Sequence, residues 1–593
     1  MSADASPSGP VQPVQVSVAA ALLGWLKAEG VRHIFGIPGG ALISMLEALR
    51  ADPDLTYHIC RQETGAAYIA DGYARVSGGL GVVLVTSGPG ATNALTGALN
   101  ADASGSPLLV ITGEIKEAFF GRGFLQEGVD ASLDIVDVYA SAIGFSEMIS
   151  NAANAAEIFE SAMRRTWGPP SRAAHISLPG DVAGTLIDPP AAAAPASYRV
   201  TDGFLDAAGI QAAVDAIAAA RRPLLFIGDG CRRALTDPLL LGGFVKAVNK
   251  LSVPVVTDPD AKGLFPETHA LSLRNAGIAG CEWLQYYLDD PNLGQYDALV
   301  VLGSPLGELA TNTWEQSLLP NGPFIQVGDD VDAIGRAFQL TRGVVSEMTA
   351  AVTEFIAAAG RATVDPTVAA ARRAFVATIK VEHSPFVDPA KRTSASDPIK
   401  PQALARILSE GLPPGSQILV DAGNCVGWCL HEMVIDPPTQ MHTALAMGPM
   451  GFGTGAVIGA RLAAPTMPCV AVVGDGGFLM QVAEVATAAQ DGIGAIWVVL
   501  ADHDLAMVSQ GMAAVTGDPS YDNYYEIGWT DLAAVARGLG ATAYEIRTPD
   551  EATAALGAAL TGAGLGVPQV IVATIDPSES PPYDYSPHAI APP

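Results

Sequence analysis

Gly474-Asp475-Gly476 is followed by 24 residues and then by Ala501-Asp502, which sets two carboxylates near a glycine-rich turn. Two such oxygen ligands suit a small hard cation. Mg²⁺ takes one or two carboxylates and completes its octahedron with phosphate oxygens and water, so the spacing points to a diphosphate held through a metal.

Elements that could bring the two acids together flank them. Cys469-Val470-Ala471-Val472-Val473 is an apolar run of buried-strand type, and Gly474 to Gly477 can turn where a side chain would obstruct a ligand. The spacing of Leu479, Val482, Val485 and Ala488 predicts a helix over 478–490, and Ile493 to Leu500 reads as a second strand. Two parallel strands joined by a helix end at the same sheet edge, where such folds bind ligands. A second tripeptide, Gly228-Asp229-Gly230, also follows an apolar run, Leu224 to Ile227, but Val255 and Val256 stand at its downstream register. The tripeptide alone therefore reads equally well as a plain turn. Pairing with Asp502 distinguishes the later copy.

The stretch from Gly474 to Gln510 resembles the cofactor signature of thiamine-diphosphate enzymes. The resemblance implies Mg²⁺ ligation by Asp475, Asp502 and the carbonyl of Asp504. It places the diphosphate against Gly474, Asp475, Gly476, Gly477, Asp502, Asp504, Leu505, Ala506 and Met507. Asp502 departs from the family, which has asparagine there; it keeps an oxygen ligand but adds negative charge beside a diphosphate, to be balanced by a neighbour such as His503. Arg61-Gln62-Glu63-Thr64-Gly65-Ala66-Ala67, continued by Ala70-Asp71-Gly72-Tyr73-Ala74-Arg75, resembles the family's glutamate-bearing strand-to-helix junction. Glu63 is then the acid that activates the aminopyrimidine, although a glutamate at such a junction also reads as an acid offsetting the helix macrodipole. Gln62 stands where the family often has histidine.

Further segments match. Thr86-Ser87-Gly88-Pro89-Gly90-Ala91-Thr92-Asn93 resembles the loop bordering the active site, and Met447-Gly448-Pro449-Met450-Gly451-Phe452-Gly453 resembles the segment receiving the aminopyrimidine. By that resemblance the Gly448 carbonyl accepts from the exocyclic amine, and Met450 wedges the cofactor into its bent form. Asp421-Ala422-Gly423-Asn424-Cys425 occupies the place of a diphosphate-contacting turn, in which Gly423, Asn424 and Cys425 are cofactor-binding candidates and Cys425 replaces a common histidine.

Composition fits a large α/β enzyme. The 593 residues are 49% hydrophobic and 16% charged, enough to fill several cores around buried parallel strands. A formal net charge of -29 argues against nucleic acid or an anionic membrane as the main partner. Six cysteines without a Cys-x-x-Cys pair offer neither a zinc site nor a disulfide framework, and a reducing, cytoplasmic location is expected. No apolar stretch approaches the roughly 20 residues that span a bilayer. The expected organisation is a disordered arm (1–16), an α/β domain (17–188), a Pro/Ala-rich linker (189–203), a second α/β domain (204–360), a second linker (361–401), a third α/β domain (402–576) and a tail (577–593) over the surface or the active-site mouth. The fold class is thus α/β, with three consecutive parallel-sheet domains. The family names them pyrimidine-binding, central Rossmann-like and diphosphate-binding, and its active sites lie between subunits, implying a homodimer or homotetramer.

Gly36-Ile37-Pro38-Gly39-Gly40-Ala41, Ile111-Thr112-Gly113-Glu114 and Phe124-Leu125-Gln126-Glu127 are similar to the acetolactate synthase branch, where Gln126 would be an active-site glutamine; a solvated loop residue is the other reading. The branch implies decarboxylation of a pyruvate-like 2-oxo acid and transfer of the acyl-anion equivalent to a carbonyl acceptor. Alternatives are a non-oxidative decarboxylase or carbon-carbon lyase, and a catalytically silent regulatory paralogue. Near the expected acceptor pocket this chain has Gly511 where biosynthetic members carry tryptophan, and no Lys or Arg in 140–150. Gly228 with Arg232-Arg233 leaves FAD open for the central region, as does a flavin-free domain.

Overall fold

The computed structural model describes residues 15–130, 132–188, 194–199, 203–288, 295–517 and 524–583. The expected N-terminal arm, most of the first linker and the end of the tail lie outside these residues. The chain falls into two compact units: Met1–Ala70 with Gly79–Thr201, and Asp71–Gly78 with Asp202–Pro593.

The first unit is built on six parallel strands: β1 (His33–Ile37), β2 (Thr56–Ile59), β3 (Gly81–Val85), β4 (Leu108–Glu114), β5 (Ser146–Met148) and β6 (Ala173–Pro179), in the order β2-β1-β3-β4-β6-β5. Every residue of β3, β4 and β6 is buried, as the near-continuous apolar runs require of a sheet covered on both faces.

The second unit holds two more such sheets. In the central one, β7 (Pro223–Ile227), β8 (Val255–Thr257), β9 (Ser272–Asn275), β10 (Ala298–Leu302), β11 (Phe324–Gly328) and β12 (Arg342–Val345) run in the order β9-β8-β7-β10-β11-β12. The other orders β13 (Gln417–Val420), β14 (Gln440–His442), β15 (Cys469–Gly474), β16 (Ile496–Ala501), β17 (Thr542–Ile546) and β18 (Gln569–Thr574) as β14-β13-β15-β16-β18-β17. This repeats the strand order of the first unit's sheet; the central sheet has the Rossmann order instead. Three parallel α/β sheets are therefore present.

Residues 361–401, the expected second linker, are partly helical. They carry the helix Pro366–Glu382, whose buried Arg372 donates to Leu251 O at 2.6 Å and Ile217 O at 2.8 Å. Those carbonyls sit near the C-terminal ends of the helices Ala207–Ala219 and Pro238–Leu251, so one guanidinium satisfies acceptors that the helices leave open. The predicted 478–490 helix is instead two, Asp475–Gln481 and Glu484–Asp491, separated by Val482 and Ala483. Its periodicity survives because both intervening residues keep right-handed helical dihedrals.

Candidate functional site

Strands β15 and β16 pair in parallel with Gly474 opposite Leu500, so Asp475 and Asp502 leave the same sheet edge. Strand β13 lies on the other side of β15, and the chain reverses its direction of winding between them, which opens a crevice beyond their carboxyl ends. Three helices begin there: Asn424–Glu432 after β13, Asp475–Gln481 after β15 and Ala506–Thr516 after β16. Their N-terminal amides give the crevice a positive lining.

Asp475 is 2% exposed. Its Oδ1 accepts from Gly476 N at 2.8 Å and its Oδ2 from His503 N at 2.7 Å. Burial raises the Asp475 carboxyl, against the pull of those amides. Burial and then the charge of Asp475 push Asp502 up to about 7. The His503 ring lies 3.9 Å from Asp475 Oδ2, so its ion-pair geometry is with Asp475. Asp504 N donates to Asp502 Oδ1 at 3.3 Å. On either side, Leu505 N donates to Tyr525 O at 3.0 Å and Ile527 N to His503 O at 3.1 Å. Because strand residues alternate the direction of their amides, this bridge leaves the carbonyl of Asp504 facing the other way. Among the described residues, no group of three or more His, Cys, Asp or Glu is arranged to hold a metal. The two carboxylates would need a backbone carbonyl and ligand oxygens to complete a Mg²⁺ shell.

Glycines shape the space beside these acids. A Cβ on Gly423, Gly448 or Gly474 would meet nothing within 4 Å, so each backbone is open to a neighbour. Asn424 Oδ1, Asp504 Oδ1 and Gln481 Oε1 are buried without a hydrogen-bond partner among the described residues. Open backbone suits the close approach of a phosphorylated ligand, and unengaged acceptor oxygens suit its donor groups or a cation. Met450 stands next to Gly476, where an added Cβ would come within 3.2 Å of its Cε. Ala506 is buried at the start of its helix, and Leu505 precedes it as the N-cap residue. The Cys425 thiol donates to Asp421 O at 3.1 Å, and burial raises its pKa strongly.

Sequence reasoning gave Asp421 no role. It is 1% exposed, and its carboxylate accepts from Ala422 N and Gly451 N, both at 2.9 Å. A Cβ on Gly477 would come 2.4 Å from its Oδ2. One side chain thus ties the 421–425 turn to the 447–453 loop and packs on the glycines after Asp475. Gln510 was likewise missed. It accepts from Asn424 Nδ2 at 2.9 Å and donates to Glu579 O at 3.0 Å. The C-terminal stretch continues to Tyr583, whose hydroxyl donates to Gly423 O at 3.2 Å and accepts from Gly427 N at 3.1 Å. Gln510 closes the signature stretch that began at Gly474, but only the fold shows its partners and those of Tyr583.

In the first unit, Glu63 opens the helix Glu63–Ser77 and is 9% exposed. Its Oε2 accepts from Asn93 Nδ2 at 3.0 Å, and a Cβ on Gly90 would stand 3.5 Å from its Oε1. Gln62 Oε1 accepts from Gly65 N at 3.0 Å, which makes it a cap for the helix start. Gln126 has φ 65° and packs its backbone on Gly88, whose added Cβ would meet Gln126 Cα at 3.2 Å. The fold therefore brings Glu63, the Gly88-Pro89-Gly90 loop and Gln126 together. Asn93 was read only as part of that loop; it is also the amide that fixes the Glu63 carboxyl.

Family models match in the same three regions: the N-terminal TPP-binding domain of thiamine pyrophosphate enzymes over residues 16–134, the central domain over 210–355 and the C-terminal TPP-binding domain over 421–572. A Mycobacterium tuberculosis protein named "Putative acetolactate synthase large subunit IlvB2" is 30% identical over 94% of this chain and 97% of its own length. The chain belongs to the thiamine-pyrophosphate enzymes, in the acetolactate synthase large-subunit family. Other members at similar distance are the acetolactate synthase large subunit of Lactococcus lactis, 30% identical over 82% of this chain and 80% of its own length, and the isozyme 1 large subunit of Escherichia coli, 26% identical over 94% and 93%. Membership makes the protein a thiamine-pyrophosphate-dependent enzyme of acetolactate synthase type. No helix among the described residues is long and apolar enough to cross a membrane.

The central sheet of this family member closes its own crevice. At the reversal between β7 and β10, a Cβ on Gly228 would stand 2.3 Å from Ser304 Cα and 2.4 Å from Gly303 O. Gly230 N donates to Gly303 O at 2.9 Å. Arg232 is engaged with Asp229 at 2.6 Å and with Met441 O at 3.1 Å. Burial and the neighbouring Asp260 and Asp229 raise Asp258 strongly. Backbone packs against backbone at this turn, and the cation Arg232 stands beside the acids Asp229 and Asp260.

Proposed function

We propose that this enzyme decarboxylates a pyruvate-like 2-oxo acid and transfers the acyl-anion equivalent to a second carbonyl compound, with thiamine diphosphate held through Mg²⁺. The observation that carries this reading is the crevice beyond β13, β15 and β16, where open glycines and unengaged polar atoms adjoin the Asp475–Asp502 pair. Thiamine diphosphate, when bound, supplies the electron sink for decarboxylation. In this reading Asp475, Asp502 and the carbonyl of Asp504 hold the metal. Gly423, Asn424, Gly474, Gly476, Gly477, Leu505, Ala506 and Met507 line the diphosphate, while the Gly448 carbonyl and Met450 receive the pyrimidine. Cys425 positions the turn through its bond to Asp421 O and leaves phosphate contact to Asn424 and the helix amides.

Glu63 would be the acid that activates the pyrimidine, and Asn93 holds the Glu63 carboxyl in one orientation for that role. Gln126, set by its packing on Gly88, orients substrate at the same place. A homodimer or homotetramer, in which Glu63 of one copy serves the diphosphate residues of another, and a cytoplasmic location complete the proposal. The self-closed central crevice supports a flavin-free central domain.

Incubation with pyruvate, thiamine diphosphate and Mg²⁺ tests the reaction. Acetolactate or acetoin is the expected product. Acetaldehyde alone would replace transfer with simple decarboxylation, and no carbon dioxide would overturn pyruvate as the donor.

A further inference from the structure

We infer that Arg274 marks a buried binding site for a small oxyanion or carboxylate in the central region, formed by residues outside the thiamine diphosphate crevice. Arg274 lies in β9 with φ 63° and is 7% exposed. Its guanidinium carbon lies 5.2 Å from the centroid of the Trp283 ring and 4.7 Å from that of Phe386. Nε and Nη1 are shut off from solvent and donate to nothing among the described residues. Guanidinium nitrogens buried without acceptors are costly, and such groups in native proteins are met by an ion or ordered water.

The carboxylates around it are already engaged. Glu432 accepts from Arg392 Nη1 at 2.6 Å, and Glu267 accepts from Lys262 Nζ at 2.6 Å and Ile435 N at 2.8 Å. Asp388 pairs with Lys391 at 2.9 Å. The His431 ring has both nitrogens occupied, by Gly280 O and Val387 N, each at 3.0 Å. Lys380 adds a further cation 4.6 Å from the Trp283 ring; burial and then Arg274 lower it to about 8. Each of these carboxylates is hydrogen-bonded to another cation or amide, and none accepts from Arg274 Nε or Nη1. Two unpaired N–H groups on one cation suit the oxygens of a carboxylate or another oxyanion, each nitrogen making its own contact.

Thermal unfolding of the holoenzyme tests the site, with inorganic phosphate and, separately, acetate exchanged against chloride at constant ionic strength. A saturable rise in midpoint is expected with at least one of them, phosphate indicating an oxyanion site and acetate a carboxylate site. Arg274→Met should weaken that dependence roughly tenfold or more, the loss of about one strong charge-assisted contact. Should that variant fail to fold, Arg274→Lys keeps the charge, loses the fork and carries the same comparison. A rise of equal size in wild type and variant, as general salt exclusion produces, would overturn the site. So would a midpoint indifferent to both anions.

Discussion

Asp421→Asn isolates the acid that ties the crevice together. The wild-type carboxyl is buried, which pushes it up to about 7 from an ordinary 3.8. A shift of about three units corresponds to about 4 kcal/mol between protonation states. The folded chain therefore retains, between about pH 4 and 7, a proton that the unfolded chain has released. Stability from this group is complete below pH 4 and is lost as pH rises through 7, by up to about 4 kcal/mol. Asparagine cannot titrate, so the variant lacks that loss. It has one oxygen for the two amides of Ala422 and Gly451, which costs about 1–3 kcal/mol. Wild type has lost about 1.5 kcal/mol of its carboxyl's contribution by pH 5, so urea unfolding of the cofactor-free protein should find the variant gaining about 2.5 kcal/mol on wild type between pH 5 and pH 8. All other groups titrate alike in both proteins and cancel. A difference that stays constant from pH 5 to 8 would refute the assignment of a raised carboxyl to Asp421.

Four other outcomes are expected. Glu63→Gln should lower carbon dioxide release by about a hundredfold or more while leaving calorimetric cofactor binding in place; full activity would remove Glu63 from catalysis. Asp502→Asn keeps an oxygen ligand and removes a charge facing a diphosphate, worth about 1 kcal/mol, so at saturating Mg²⁺ thiamine diphosphate should bind about fivefold tighter, and weaker binding would refute the repulsion. Purified enzyme, heat-denatured to release bound groups, should yield no flavin fluorescence; stoichiometric flavin would refute the closed central crevice. Gly427→Ala would place a Cβ 2.4 Å from the Tyr583 hydroxyl, so the segment after Glu579 should become a faster site of limited proteolysis, and an unchanged digestion rate would refute the contact.

The amino-acid order carried the three parallel sheets, because apolar runs such as Val82–Val85, Leu224–Ile227 and Cys469–Val473 are buried on both faces and read as strands without their neighbours. It also carried the candidate chemistry at Glu63, Asp475 and Asp502, whose types and flanking glycines are local properties. It did not carry Asn93 as the partner of Glu63, Asp421 as the clamp between two loops, or Gln510 as the link from Asn424 to the C-terminal stretch. Those side chains act across gaps of 30, 30 and 86 residues, and only strand order sets which distant turns share an edge. The two Gly-Asp-Gly tripeptides make the same division. Sequence alone distinguished them by one downstream acid; the tertiary structure decided that the first is packed shut against Gly303 while the second borders open backbone, since close approach depends on which strand lies next door.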